Sequence, residues 1–212
     1  SSGRSISVID FYFDFISPYG YLAAMQVEKL AKKYDQKVEW HPMLLGVSVM
    51  KVMGLKPLME TPLKGPYMAA DLPRLASLYN VPLCFPKHGI PKPLPPARAF
   101  CWVKEQAPER AGEFALTVYQ AQWEFGLNIS KPEILAQLAE KMGLNPHRLL
   151  EALDSESLSQ SLRDKVDASI KRGVFGSPTF VVDNNMIWGC DRLWMLEHWL
   201  ANKSWSSLAK VS

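Results

Sequence analysis

The sequence predicts an α/β fold in which a small sheet is interrupted by a long block of helices. Three observations carry this. The chain opens in a strand, helix, strand order; its middle is punctuated by helix-start signals and prolines; its end returns to two short strands and a helix.

The first element is Ile6 to Phe15, ISVIDFYFDF, whose aromatic and β-branched run reads as a buried strand. It stops at Ser17-Pro18, where a hydroxyl can cap a helix and proline suits the first turn. From Tyr19 to Tyr34, Leu22, Met25, Val27 and Leu30 oppose Gln26, Glu28, Lys29, Lys32 and Lys33, which predicts an amphipathic helix. Lys37 to Leu45 then reads as a second strand, parallel to the first, completing a βαβ unit.

From about Pro66 to Arg172 the pattern is helical. Ser130-Lys131-Pro132-Glu133 matches a capping box and Asn145-Pro146 a further helix start. Pro82 to Pro96 holds too many prolines for regular structure and is predicted to be a loop. Thr179 to Val182 and Asn185 to Trp188 flank Asp183-Asn184 as a hairpin. Asp191 stands where it could cap a last helix from Arg192 to about Leu200. This order is the arrangement of the larger thioredoxin-like proteins. It divides the chain into a discontinuous domain of residues 5–65 and 173–212 and a helical insertion of residues 66–172. The opening Ser1-Ser2-Gly3-Arg4 reads as the remainder of an expression tag.

Composition narrows the function. A net charge of +3 with no basic run argues against nucleic acid as a partner. The three cysteines, Cys84, Cys101 and Cys190, form no C-x-x-C pair, which fits reduced thiols in a cytosol. His41, His88, His147 and His198 have no ligand spacing, so a metal site is not expected. No apolar run has the length of a membrane span, and no signal-peptide core opens the chain. A cytoplasmic protein without a membrane partner is the expectation.

Three short segments could carry chemistry. In Asp14-Phe15-Ile16-Ser17-Pro18-Tyr19-Gly20-Tyr21, Ser17 meets a helix N-terminus, where free amides and the helix dipole favour an anion. Its hydroxyl either merely caps that helix or donates to a bound thiolate. In Gly173 to Phe180, GVFGSPTF, Pro178 directly precedes a strand after a small-residue turn. A cis Ser177–Pro178 peptide would present the Ser177 main chain to an extended ligand, and an ordinary trans loop is the alternative. The third is Trp188-Gly189-Cys190-Asp191-Arg192. Here Asp191 either binds an ammonium group or simply caps the last helix, and Cys190 reads as buried packing rather than a reactive thiol. Trp102, Tyr119, Trp123 and Phe125 read as core, with one or two lining a pocket.

Taken together, four motifs resemble the bacterial 2-hydroxychromene-2-carboxylate isomerases and the kappa-class glutathione transferases of the DsbA-like thioredoxin superfamily. They are FYFDF-x-SPY-x-YL at Phe11 to Leu22, LYNVPLCFP at Leu78 to Pro86, VFGSPTF at Val174 to Phe180, and WGCDRLWMLE at Trp188 to Glu197. The resemblance spans nearly the whole chain and implies a thioredoxin-like sheet with a large all-helical insertion. It also implies glutathione as cofactor. Ser17 would hold its sulfur and Ser177, ahead of a cis Pro178, would pair with its main chain. Gly189, Cys190, Asp191 and Arg192 would hold its γ-glutamyl end. Cys190 replaces the serine or asparagine usual there, and Leu55 falls near a position where kappa-class relatives carry asparagine. On the substrate side, Lys51 is the one basic candidate carried over.

The implied reaction interconverts a 2-hydroxychromene-2-carboxylate and a trans-hydroxybenzylidenepyruvate, a step of aromatic-compound degradation, in a homodimer whose substrate is a small aromatic carboxylate. The rival readings are a conjugating kappa-like transferase and a non-catalytic glutathione-binding module. A disulfide oxidoreductase is disfavoured because Ser17 and Gly20 occupy both positions of a C-x-x-C motif.

Overall fold

The computed structural model describes residues 6–206; the opening Ser1–Arg4, residue 5 and residues 207–212 lie outside the described residues. A four-stranded sheet in the order β2-β1-β3-β4 forms the base, built from β1 (Val8–Phe13), β2 (Lys37–Pro42), β3 (Thr179–Val182) and β4 (Asn185–Trp188). β1 runs parallel to β2, with Phe11 opposite Trp40, and antiparallel to β3, with Phe11 opposite Phe180. Parallel neighbours need a crossover. It is supplied by α1 (Pro18–Lys33), which buries Leu22 and Val27 and ends on Lys32 and Lys33.

Alternation along β1 sends Ile9, Phe11 and Phe13 to one face, where all three are fully buried. Phe11 meets Trp40 edge-on at 4.8 Å and stacks on Phe180 at 5.3 Å, so one ring ties three strands together. Phe13 meets Phe100 at 5.1 Å and Phe15 meets Tyr119 at 5.0 Å, and both partners come from the helical block. Such pairs contribute about 0.5–1.5 kcal/mol beyond the area they bury. The aromatic run that reads as a strand is therefore also the joint between sheet and helices.

Both N-terminal strands are shorter than their sequence pattern predicts. β1 closes before Asp14, whose carbonyl accepts the Ser17 amide at 3.0 Å. β2 ends at Pro42, and the chain coils into a π-helical turn at Gly46–Val52. The helical insertion follows: α2 (Lys64–Leu78), α3 (Leu94–Gln106), α4 (Ala111–Trp123), α5 (Pro132–Lys141), α6 (Pro146–Leu153) and α7 (Glu156–Lys171). The proline-rich loop ends earlier than Pro96, because Pro95 and Pro96 sit in the first turn of α3, where a missing N–H costs nothing.

The capping box at Ser130 does not form. Lys131 occupies the cap position of α5, and the Ser130 hydroxyl instead accepts the Lys92 amide at 2.7 Å. The Asn145 cap does form, accepting the His147 and Arg148 amides at 3.0 and 3.2 Å. At the Asp183-Asn184 turn both residues have positive φ, 47° and 64°, as a tight primed turn between β3 and β4 requires. The last helix, α8 (Leu193–Asn202), packs Leu193, Leu196 and Leu200 into the core. Among the described residues no helix is long and apolar enough to cross a membrane.

Candidate functional site

The three segments singled out in the sequence, more than 160 residues apart at their ends, lie at one end of the sheet, after β1, before β3 and after β4. Ser17 caps α1: its buried hydroxyl accepts the Gly20 amide at 3.0 Å. The same hydroxyl donates to the Ser177 carbonyl at 3.1 Å. It caps the helix with a lone pair and so keeps its proton for an acceptor beyond it. Four N-terminal amides of a helix lack internal partners. In α1, Pro18 has no N–H, Gly20 is taken by the Ser17 hydroxyl and Tyr21 by the Ser17 carbonyl. The Tyr19 amide is left without a partner among the described residues. No acidic side chain occupies this first turn to offset the helix dipole.

The Ser177–Pro178 peptide is cis. The Pro178 carbonyl accepts the Gly189 amide at 3.0 Å, which seats the Gly189–Arg192 turn beside the loop. Gly189 has φ 109°, a left-handed value, and a side chain there would run into the Asp191 carboxylate. Cys190 is buried, its carbonyl accepts the Tyr79 hydroxyl at 2.9 Å, and burial pushes its thiol up to about 12.

Asp191 does not cap the last helix. It lies in a short 3-10 turn, Arg192 occupies the cap position of α8 with no side-chain cap bond, and both Asp191 and Arg192 are exposed. Lys51 is exposed on the π-helical turn; among the described residues it makes no ion pair with the Ser17 corner. Trp102, Tyr119 and Trp123 are buried, whereas Phe125 is exposed.

A model of the DSBA-like thioredoxin domain matches residues 8–201. The chain belongs to the DSBA-like thioredoxin family. It is 33% identical over 193 residues to 2-hydroxychromene-2-carboxylate isomerase of Sphingobium xenophagum, covering 91% of this chain and 97% of that one. It is 28% identical over 213 residues to glutathione S-transferase kappa 1 of Rattus norvegicus, covering 95% and 94%. A solved 2-hydroxychromene-2-carboxylate isomerase superimposes with a TM-score of 0.82 at 29% identity, over 92% of this chain and 95% of that one. The protein is thus homologous to enzymes of both groups, on a thioredoxin-like sheet with a large helical insertion.

In this DSBA-like thioredoxin protein, space at the turn after Ser17 is restricted. A Cβ at Gly20 would lie 2.6 Å from both the Ser177 hydroxyl and the Tyr119 hydroxyl. A side chain at the second position of a C-x-x-C motif would therefore have to displace one or both of these hydroxyls. Several groups that shape this DSBA-like corner were absent from the sequence-derived site. Tyr119 donates to the Asp14 carbonyl at 2.8 Å and Trp123 to the Phe15 carbonyl at 2.9 Å, so α4 clamps the end of β1. Tyr19 donates to Asp71 on α2 at 2.9 Å, which brings a second carboxylate toward the same end of the sheet. Asp14 itself is one of two carboxylates, with Asp10, in the apolar aromatic run Ile6 to Phe15, and a charge between Phe13 and Phe15 was the signal available for it.

Proposed function

We propose that this protein is a glutathione-dependent isomerase acting on conjugated aromatic carboxylates of the 2-hydroxychromene-2-carboxylate kind. The observation that supports it best is the Ser17 hydroxyl, 3.1 Å from the Ser177 carbonyl, beside the unpartnered Tyr19 amide at the start of α1. Glutathione needs a hydrogen-bond donor for its sulfur and a main-chain partner for its cysteinyl peptide. These residues can offer both, and homology to the isomerases and to a kappa-class transferase points the same way.

Bound glutathione supplies a thiolate that adds reversibly to a conjugated double bond and so lets that bond rotate. The chain's part is to keep the sulfur ionised. An ordinary cysteine thiol has a pKa of about 8.5, and a helix N-terminus with a hydroxyl donor lowers it. Ser17 needs only to turn its proton from the Ser177 carbonyl toward the sulfur, which frees that carbonyl for the cysteinyl amide. Ser17 is not a nucleophile here: its hydroxyl contacts a carbonyl and an amide, and neither can take its proton. Exposed Asp191 suits the γ-glutamyl ammonium, with the Cys190 main chain and Arg192 beside it. Lys51 suits the substrate carboxylate.

The sequence similarity to glutathione S-transferase kappa 1 favours one second reading, a conjugating transferase. A panel of chromene-2-carboxylates with and without glutathione separates the two. Isomer interconversion with glutathione recovered in full supports the isomerase, and stoichiometric loss of the thiol supports the transferase. No turnover together with no glutathione binding by calorimetry would overturn both.

A further inference from the structure

Asp14 closes β1 and is the residue on which the corner converges. Its amide donates to the Ser177 hydroxyl at 3.1 Å, and its carbonyl accepts the Ser17 amide at 3.0 Å and the Tyr119 hydroxyl at 2.8 Å. Its carboxylate, 2% exposed, accepts the Leu45 amide at 2.8 Å and the Ile16 amide at 3.2 Å. No lysine, arginine or histidine pairs with it among the described residues. The groups packed on it are few. α4 brings the Tyr119 phenol, a titratable neighbour, itself pushed well above its ordinary value by burial. α1 brings Ser17, the loop before β3 brings Ser177, and the segment after β2 brings Leu45, none of them charged. A carboxylate buried without a cation is expensive, and here its bonds are spent on two loop amides.

We propose that Asp14 is a positioning residue: by gripping the Leu45 amide, its ionised carboxylate locks the turn Gly46–Val52, with Lys51, against the corner where Ser17 and Ser177 meet. Leu45 immediately precedes that turn, and its amide has the carboxylate as acceptor. Burial pushes the Asp14 carboxyl up to about 6, against the pull of the Leu45 and Ile16 amides. As pH falls through that value the carboxyl gains a proton, loses its charge and turns one of its two acceptor oxygens into a donor, so the grip on the turn loosens. The contact between Ser17 and Ser177 does not involve the carboxylate and persists. The consequence for substrate binding rests on the glutathione reading above; the lock is a property of the free protein.

The test is amide spectroscopy and hydrogen exchange on the full chain, free of ligand, between about pH 5 and pH 8. The Leu45 and Ile16 amide signals should titrate together with a midpoint near 6. Protection factors across Gly46–Val52 should fall about tenfold or more on the acid side, as loss of a charge-assisted bond implies. In Asp14→Asn the titration should vanish and protection of the turn should stay low at every pH. A Leu45 amide that does not titrate, or equal protection of the turn on both sides of pH 6, overturns the proposal. If the variant does not fold, the wild-type titration alone decides. Calorimetry with glutathione on the same wild-type sample judges the functional reading separately, since failure to bind glutathione leaves the Leu45 result standing.

Discussion

The Ser17 hydroxyl donates to the Ser177 carbonyl at 3.1 Å, across 160 residues of chain. That bond joins the start of α1 to the loop before β3. On the glutathione reading proposed above, a thiol ligand replaces it, taking the proton and the carbonyl as separate partners.

Ser17→Ala tests this exchange. Removing one charge-assisted hydrogen bond to a thiolate costs roughly 1.5–3 kcal/mol, so the pKa of bound glutathione should rise by about one to two units. Turnover at pH 7 should fall roughly 10- to 100-fold and recover in part at higher pH, because the dipole of α1 remains. Loss of the cap should also lower stability by about 1 kcal/mol. The measurement is thiolate absorbance of bound glutathione against pH, alongside turnover. An unshifted titration removes Ser17 from the thiolate site.

Gly20→Ala should be destabilising out of proportion to its size. Its Cβ would meet two hydroxyls at 2.6 Å, and Tyr119 is fully buried with its hydroxyl engaged by Asp14, so neither neighbour can move freely. Overpacking of this kind costs about 1–3 kcal/mol, readable in a urea melt. By the same geometry, Ser17→Cys combined with Gly20→Cys should not yield a working dithiol enzyme. A doubly substituted protein that is both stable and active in disulfide exchange would contradict the crowding described here.

Much of this architecture was legible in the sequence, and the reason differs by element. Phe11, Tyr12 and Phe13 announce a buried strand because a run of aromatic and β-branched residues has few other uses. The hairpin at Asp183-Asn184 is read from a turn that tolerates positive φ. The site segments were visible because serine and aspartate at helix starts have few chemical meanings. What could not be read is long-range. Ser130 satisfies every local rule for a cap yet bonds Lys92, since a loop 38 residues earlier needed an acceptor. Asp191 looks like a cap, but the 3-10 turn lets α8 begin after Arg192 instead. The convergence on Asp14 depends on Leu45, Tyr119 and Ser177 arriving from three different elements, and no local pattern encodes that.

Asp191→Ala should separate binding from folding cleanly. Because Asp191 caps nothing and is exposed, its loss should leave the melting temperature within the small range of ordinary surface changes, about 0.5 kcal/mol. Affinity for glutathione should fall, since an ammonium would lose a charged partner. Unchanged affinity by calorimetry would remove Asp191 from the γ-glutamyl site.

The pH dependence of stability should carry the mark of Asp14. Burial raises its carboxyl from 3.8 in the unfolded chain to about 6 in the folded one. Between those values the folded state holds a proton that the unfolded state has released. Stability from this group is therefore fully present below about pH 4, declines as pH rises toward 6, and stays at its lower value above that. A shift of about two units corresponds to roughly 3 kcal/mol. Asp14→Asn cannot titrate, so the difference in unfolding free energy between wild type and variant isolates the effect from every other carboxylate. Urea melts at intervals from about pH 4 to pH 7.5 should show that difference moving against the wild type as pH rises, then levelling off. A difference that is flat across this range, or that moves the other way, would mean that the carboxylate is not the buried, unpaired charge on which the lock at Leu45 depends.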